Sequence, residues 1–452
     1  MLIFNLIEMK RIYLLLTGIL VLGTACNKDL DQFPSNIASS DSLTDFAGVL
    51  NAAYFYQLGA VTPMAVMGEF RSDNAFMAEA PYTSFDQFDN DLPTMEDQFF
   101  GPFYTALYKS ILSANNVIEN SANTTEVGEA KFLRALSYFK LVQVFGDVTV
   151  NLSASPSLTD TSILVRKPVA EVYSSVIIPD LTDAMGVLGT SIENGRASKY
   201  AAQGLLGKVY ATMGDYASAE PHLAAVVNGA SAAGISLQSS FSDVFGADND
   251  LNSEILFATQ ISSAIGDEYN FGSDFWNWFV GDDSKSDFPV DADLVNAFDS
   301  NAGDLRKAVT LSADGKTAIK FPKDGGLGGE HDWIELRLAD VILLYAETLN
   351  ANDNASGAES DTILAMLDDI RTRAGLSSLV GTATTQVAVK QAILDERRLE
   401  LAFEGQRWFD LVRTGTVNAE MGQTISSEYH LFPIPISEIL ASDGVITQNP
   451  GY

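Results

Sequence analysis

Amphipathic helical periodicity is the feature that most constrains the fold of this 452-residue chain. Apolar residues recur at steps of three and four along several long stretches, which is the spacing of one face of an α-helix. The stretches that carry this pattern are 103–120, 129–145, 170–188 (with Pro179 inside), 332–350, 362–374 and 387–404. The sequence therefore predicts a mainly α-helical protein.

The segment 198–227 is typical of two antiparallel helices. Ser198 can cap the first helix, Gly214 and Asp215 supply a tight turn, and Tyr216 begins the second helix. The order of small and aromatic residues fits a tetratricopeptide unit. An ordinary helical hairpin fits the same residues.

Cys26 is the chain's one cysteine, so no disulfide can form within the chain. A basic start at 9–11, an eleven-residue apolar run at 12–22 and the small residues 23–25 come before it. This is the layout of a secretory signal peptide. The apolar run is shorter than the roughly 20 residues of a transmembrane helix.

A cysteine directly after small residues resembles a bacterial lipoprotein box, in which the cysteine is acylated and becomes the first residue. Such boxes usually carry Leu three places before the cysteine, whereas Leu22 is four places before Cys26. Lipidation of Cys26 is the prediction, and an ordinary secreted protein is the alternative. Met1 and Met9 both remain candidate start residues.

The acidic composition excludes several classes of partner. The chain has 27 Lys+Arg and 59 Asp+Glu, a formal net charge of −32. Such a surface repels nucleic acids and anionic lipid headgroups. Attachment to a membrane is therefore expected to depend on the lipid at Cys26 and not on charge.

The region 234–329 lacks helical period and is rich in Ser, Asp, Gly and aromatic residues. It also holds short apolar runs such as 255–258, and loops with a few short strands are predicted there. The closing stretch 431–452 is expected to be extended. The predicted organisation is a signal peptide at 1–25, a lipidated tether at 26–42, an N-terminal helical part at 43–233, a loop-rich variable ligand-binding part at 234–330 and a C-terminal helical part at 331–452.

Several segments in a fixed order resemble the SusD/RagB family of outer-membrane nutrient-binding lipoproteins. The longest is ERRLELAFEGQRWFDLVRTG at 396–415, and WIELRLADVILLYAETLN at 333–350 is similar to another family helix. Shorter similar segments lie at 129–135, 145–147, 369–375, 432–435 and 448–452. With the lipoprotein start, the resemblance spans nearly the whole chain.

The resemblance implies about four tetratricopeptide-like helix pairs with a loop-rich variable part laid against them. It also implies an outer-membrane, cell-surface lipoprotein that captures oligosaccharides, or peptides in some members, for a SusC-type TonB-dependent transporter. Members of this family are not enzymes, and no cofactor is implied. A helical scaffold of the transporter complex without its own ligand, and a secreted hydrolase, are the alternatives.

The helix at 396–404 carries Glu396, Glu400 and Glu404 at four-residue steps, so three like charges share one stripe. Two carboxylates about 5 to 9 Å apart across a cleft could cleave a glycosidic bond. These three lie on one helix among apolar residues, which favours a structural ion network. Its cations are expected to come from Arg397, Arg398 and Arg407 or from neighbouring helices.

Candidate ligand contacts lie in two segments. Trp276 and Trp278 would face the same side of an extended strand and could stack on sugar rings, although either ring could instead belong to the core. The second segment carries Arg71, Asp73 and Asn74, followed by Tyr82. Polar forks beside aromatic rings suit a glycan. The alternative is that Asp73 and Asn74 cap a turn.

No metal or nucleophile motif is found. The three histidines are dispersed, and HExxH, GxSxG and Walker motifs are missing. The run 248–252 begins like a calcium loop but has Ser253 where glycine belongs and Thr259 where glutamate belongs. A structural calcium ion in another acidic loop stays an open alternative.

Overall fold

Helices dominate the described part of the chain, as the sequence predicts. The structure is a computed structural model that describes residues 45–157, 159–192, 195–262, 275–279, 289–321, 331–353 and 358–452. The signal peptide, the tether and Cys26 lie outside the described residues, as does the side chain of Trp276. Phe46–Tyr452 form one compact unit. The predicted boundaries at 233 and 330 stay predictions.

The helices fall into two series. The first is α1 Phe46–Tyr56, α2 Val61–Glu69, α3 Ser84–Gln87, α4 Gly101–Asn120, α5 Thr124–Phe145, α6 Val169–Val172, α7 Ile178–Val187, α8 Lys199–Thr212 and α9 Tyr216–Gly229. The second is α10 Ala292–Asp299, α11 Arg306–Thr310, α12 Leu338–Asp353, α13 Ala358–Ala365, α14 Asp368–Arg373, α15 Gln386–Leu401, α16 Arg407–Thr414, α17 Val417–Glu420 and α18 Ile436–Ala441.

The predicted hairpin at 198–227 is present as α8 and α9. The Ser198 side chain accepts a hydrogen bond from the Ala201 N–H, and the Asp215 side chain accepts one from the Ser218 N–H. Each bond satisfies one of the free N–H groups at a helix start. Gly214 adopts a φ of +75° in the turn, a conformation that glycine reaches without strain.

The long helices pack in a continuous series. α4 packs on α5, α5 on α7, α7 on α8, α8 on α9, α9 on α12, and α12 on α15. This tetratricopeptide-like arrangement buries the apolar stripe of each helix against its neighbours. The predicted fold class, mainly α with tetratricopeptide-like repeats, is confirmed.

Two short antiparallel ribbons interrupt the helices in the described residues. β1 (Val148–Thr149) pairs with β2 (Arg166–Lys167), and β3 (Ile255–Thr259) pairs with β4 (Trp333–Arg337). β3 contains the apolar run 255–258, which agrees with the prediction of a few short strands in this region. The prediction of a helix from residue 332 is wrong at its start, because 333–337 form β4 and the helix begins at Leu338. Backbone pairing with the distant β3 outweighs the local helical pattern.

Three other predicted elements differ in the structure. The helix at 362–374 is divided into α13 and α14, and the helix at 387–404 ends at Leu401. The closing stretch is not extended throughout, since it contains α18.

Backbones of distant segments touch at Gly68 and Gly405. A Cβ atom added to Gly68 on α2 would lie 2.1 Å from the carbonyl oxygen of Gly405, which itself has a φ of +69°. No larger residue fits at Gly68 without separating α2 from the segment between α15 and α16. The contact therefore fixes the N-terminal helices against the C-terminal ones.

Candidate ligand-binding site

Arg71 lies inside the protein, in a cage of aromatic rings. It is 0% exposed, and its guanidinium carbon lies 5.0, 5.4 and 4.9 Å from the ring centroids of Phe88, Trp408 and Phe432. Its Nη2 donates to the Tyr429 carbonyl oxygen at 2.7 Å and to the Tyr452 hydroxyl at 3.0 Å. We call this group the arginine cage. It attaches the C-terminal segment to the residues that follow α2 and buries Arg71, whose role in ligand binding stays a prediction.

Asp73 is also buried and is held by arginines. Its two carboxylate oxygens each accept a hydrogen bond of 2.7 Å from Arg407, and Arg398 approaches to 3.1 Å. Burial alone would raise the pKa of Asp73, but these guanidinium groups outweigh it and lower the pKa.

Asn74 joins the same connection between α2 and the C-terminal helices. Its Nδ2 donates to Glu69 at 2.9 Å and its Oδ1 accepts from Arg398 at 3.0 Å. Ser72 makes the local turn contacts instead, since its hydroxyl donates to the Glu69 carbonyl oxygen and accepts from the Asn74 N–H. Asp73 and Asn74 thus join distant elements and do not cap the turn with their side chains.

The segment Phe275–Trp278 is a 3-10 helix and not an extended strand. The argument that residues two apart face the same side applies to a strand and not to a helix with three residues per turn, so the spacing alone no longer supports a pair of stacking tryptophans. Trp278 is 1% exposed and packs edge-on against Tyr82, with 5.1 Å between ring centroids. Tyr82 is half-buried. A role of these residues in ligand binding stays a prediction.

Glu396, Glu400 and Glu404 belong to a buried ion network that we call the ionic core. Arg337 donates to Glu400 at 2.7 Å and to Glu404 at 2.8 Å, and Arg306 donates to Glu396 at 2.6 Å. The ionic core comprises five carboxylates and five cations, Glu254, Asp304, Glu396, Glu400 and Glu404 with Arg306, Lys320, Arg337, Arg371 and Arg373.

The cations of the ionic core come from neighbouring elements. Arg397, Arg398 and Arg407 bind other carboxylates, among them Asp340 and Asp73. Burial would raise the pKa of Glu400, but Arg373, Arg337 and Arg306 outweigh it and hold the pKa well below its usual range. The three glutamates are at most 3% exposed, and Glu404 borders a small pocket of about 50 Å³.

Two open clefts lie elsewhere on the described surface. The first, which we call the Arg196 cleft, has a volume of about 360 Å³ and lies between α1, the segment before α8 and the end of β3. Its lining is Asn51, Tyr54, Phe55, Gln57, Leu58, Gly195, Arg196, Phe257, Ala258, Thr259 and Gln260.

Polar groups of the Arg196 cleft are fixed by internal contacts. Arg196 Nε lies 2.6 Å from a Glu129 carboxylate oxygen, and its Nη1 donates to Asn51 Oδ1 at 2.7 Å. The guanidinium lies over the Tyr54 ring at 4.4 Å. Tyr54 in turn donates to Glu129 at 2.6 Å, so the four side chains form one connected group.

The second cleft, the Tyr173 cleft, has a volume of about 610 Å³ and lies between α5, α6, α16 and the C-terminal segment. Its walls include Tyr173, Phe409 and Leu431. Tyr173 and Phe409 are each 7% exposed, so neither presents a ring face for stacking. Sequence patterns gave no signal for either cleft, because their residues come from helices and loops far apart in the chain.

Two further findings concern the described residues alone. They contain no group of three or more His, Cys, Asp or Glu side chains that could hold a metal ion. They also contain no helix with the length and apolar character needed to span a bilayer.

Fold and clefts together define a tetratricopeptide-like helical protein with ligand-sized surface clefts. Two family models match it: the SusD family over residues 305–425, and "Starch-binding associating with outer membrane" over residues 26–211. Together these segments cover about two thirds of the chain. The chain belongs to the SusD/RagB family.

Similar proteins match nearly end to end. SusD-like protein P2 of Formosa agariphila is 25% identical over 98% of this chain and 100% of its own length. Starch-binding protein SusD of Bacteroides thetaiotaomicron is 23% identical over 95% of this chain and 96% of its own. A solved structure, a laminarin-binding SusD-like protein, is 25% identical with a TM-score of 0.72, covering 90% of this chain and 99% of its own.

Proposed function

We propose that this protein binds a nutrient glycan at the cell surface and passes it to a SusC-type TonB-dependent outer-membrane transporter. The observation that carries the proposal is family membership along nearly the whole chain. Relatives named for starch binding and laminarin binding support a glycan as the ligand. The family description, with its reference to the outer membrane, supports the location.

The proposed activity is binding without cleavage. Glu396, Glu400 and Glu404, which could have formed an acid and base pair, are ion-paired inside the ionic core. Each of them contacts at least one guanidinium group there. Glycosidic bond cleavage needs two carboxylates that reach a substrate. We therefore expect the bound glycan to be recovered intact.

Tyr82 and Trp276 are the proposed contacts among the residues that the sequence singled out. Tyr82 is half-buried and is held in place by the edge of Trp278. The other four residues that the sequence singled out are buried: Arg71, Asp73, Asn74 and Trp278. We propose that they hold the ligand-binding surface in place without contacting the ligand. Trp276 is proposed from the sequence.

Calorimetric titration with a panel of neutral oligosaccharides tests the glycan proposal. The panel is laminarihexaose, maltohexaose, cellohexaose, xylohexaose and mannohexaose, and chromatography of each mixture checks for cleavage. We expect at least one sugar to bind intact, and the Trp276→Ala and Tyr82→Ala variants to bind it at least tenfold more weakly. Tyr210→Ala, a half-exposed tyrosine on α8, is the control.

Two outcomes would overturn this proposal. Shortened products would indicate a hydrolase. Binding of none of the sugars would leave either a peptide ligand, tested by titration with a tryptic digest of casein, or a scaffold role.

The lipid anchor and the transporter need separate experiments. We expect Cys26→Ser to abolish labelling by an alkyne fatty acid and to release the protein from the outer-membrane fraction. A tagged wild-type protein should co-purify with a TonB-dependent transporter from detergent-solubilised membranes. Labelling of the Cys26→Ser protein would contradict the anchor, and purification of the protein alone would contradict the partner.

A further inference from the structure

We propose that the Arg196 cleft is a second carbohydrate site, which takes one or two pyranose units of a neutral glycan. The inference rests on the proposed function for its ligand class but concerns a different surface from that of Tyr82 and Trp276. The Arg196 cleft has a volume of about 360 Å³, which lies within the range of about 300 to 1,000 Å³ seen for small-ligand pockets.

Unused hydrogen-bonding groups converge on the cleft. Arg196 uses Nε and Nη1 for Glu129 and Asn51, so Nη2 has no partner among the described residues. Asn51 uses only Oδ1, which leaves its NH₂ group available. Gln260 is exposed at the end of β3 and adds a carboxamide with both donors and an acceptor. Together they match the hydroxyl and ring oxygens of a sugar.

These groups are arranged before any ligand binds. The Tyr54 hydroxyl donates to Glu129 and accepts from the Ala197 N–H at 2.9 Å, which fixes the ring beneath the Arg196 guanidinium. Because Arg196 is already immobilised by two partners, a ligand would not need to order it. Preorganisation of this kind lowers the entropic cost of binding.

An apolar floor completes the cleft. Phe55 is half-buried and lines the cleft beside the polar groups, and Phe257, at 3% exposed, lies behind it in the lining without presenting a ring face. Sugar rings carry apolar C–H faces and polar edges, so a wall of aromatic carbon next to amide and guanidinium groups suits them.

Charge favours a neutral sugar over an acidic one. The Arg196 guanidinium is already paired with the Glu129 carboxylate, so it offers hydrogen bonds without an uncompensated positive charge. The protein as a whole carries a net charge of −32, which repels anionic polysaccharides. Uronic-acid oligomers are therefore expected to bind this cleft more weakly than neutral ones.

The test combines a double variant with localisation of the bound sugar. Asn51→Ala/Gln260→Ala removes two exposed amides that are outside the core. Asn120→Ala/Gln391→Ala removes two exposed amides on α4 and α15 and is the matched control. Each protein is titrated with the neutral hexasaccharide panel, and hydrogen–deuterium exchange is followed in 46–57 and 195–200.

We expect the wild type to bind two molecules per chain and to show slower exchange in both segments. The Asn51→Ala/Gln260→Ala protein should keep one site, with the other at least tenfold weaker, and lose that protection. A stoichiometry of one in both proteins, with no protection of 46–57, overturns the inference and leaves the proposed function standing. A wild type that binds none of the sugars overturns both, and an equal loss in the control overturns the inference.

Discussion

Arg337 in the ionic core and Arg71 in the arginine cage are both buried cations, but their positive charges are stabilised by different kinds of partner. Both are at most 1% exposed. Arg337 donates to three carboxylates, those of Glu254, Glu400 and Glu404. Arg71 has no carboxylate partner in the described structure, and its hydrogen bonds go to a carbonyl and a hydroxyl oxygen. Its Nε and Nη1 have no hydrogen-bond partner there.

The pKa of each arginine reflects its surroundings. Burial lowers the pKa of Arg71, and the phenol of Tyr452 and the carboxylates of Asp86 and Asp89 offset only part of this effect. Burial would also lower the pKa of Arg337, but Glu404 and Glu400 outweigh it and raise the pKa. The ionic core therefore depends on every charge in it, whereas the arginine cage depends on packing.

The largest effect is expected from Arg337→Met. It leaves three buried carboxylates without their shared cation, which costs about 3 to 5 kcal/mol of unfolding free energy. Urea denaturation followed by circular dichroism measures it. Lys307→Met, which breaks the exposed pair with Asp299, is the control and should cost less than about 1 kcal/mol. An equal loss in both variants would argue against the ionic core as a stability element.

Arg71→Met tests the other half of the comparison. The variant loses the cation–π contacts and two hydrogen bonds, but no buried carboxylate loses an ion-pair partner. Methionine also packs well on aromatic rings. We expect a loss of about 2 kcal/mol, smaller than that of Arg337→Met in the same denaturation experiment. If the loss equals that of Arg337→Met, aromatic rings stabilise a buried guanidinium to the same extent as carboxylates, which would contradict the expected difference.

Opposite pH dependence should separate the two regions. Burial raises the pKa of Asp86, beside the arginine cage, to about 7. The folded state then holds this proton more tightly than the unfolded state, so stability falls as the pH rises from about 4 to 7. The lowered pKa of Glu400 has the opposite sign, and its contribution is lost as the pH falls below about 4.5.

Asp86→Asn isolates the first of these effects. It keeps an oxygen that can accept the Met77 N–H but removes the titrating group. We expect the variant to gain about 1 to 2 kcal/mol relative to wild type between pH 4 and pH 7. Urea midpoints across that range provide the measurement, and parallel curves for the two proteins would contradict the assignment.

The smallest effect is expected from Tyr452→Phe. It removes the hydroxyl that accepts from Arg71 and donates to the Leu431 carbonyl oxygen at 3.0 Å, a loss of about 1 kcal/mol. Arg71 keeps its bond to Tyr429. Urea denaturation should therefore show only a small loss of unfolding free energy, and a loss as large as that of Arg71→Met would identify Tyr452 as the main partner of Arg71 in the cage.

The local sequence pattern was sufficient to predict most helices. It was insufficient to predict the elements that form where distant segments of the chain meet. α8 and α9 were predictable because cap, turn and apolar stripe all lie within one short segment. β4 was not, because its partner β3 is remote in sequence and its residues also fit a helical period. The neutralising cations Arg306, Arg337 and Arg373 belong to three different elements, so spacing along α15 could not identify them.

The candidate site was predictable to the level of the family and no further. The ordered motifs pointed to SusD/RagB, yet most of their charged residues, such as Arg407, serve internal contacts. Burial of Arg71, Asp73 and Trp278 depends on elements that pack over them from elsewhere in the chain. The Arg196 cleft likewise joins α1 to the end of β3, which no single segment reveals.

The bonds from Asp73 to Arg407 have a consequence for the order of folding. The two residues lie 334 positions apart, so the loop between them takes in most of the chain. Contacts of such long range carry a high loop-closure cost and form late. When the chain is synthesised or exported with its N-terminus first, Asp73 lacks its arginine partner until α16 has emerged. The segment that follows α2 therefore reaches its final packing only after α16 has joined it.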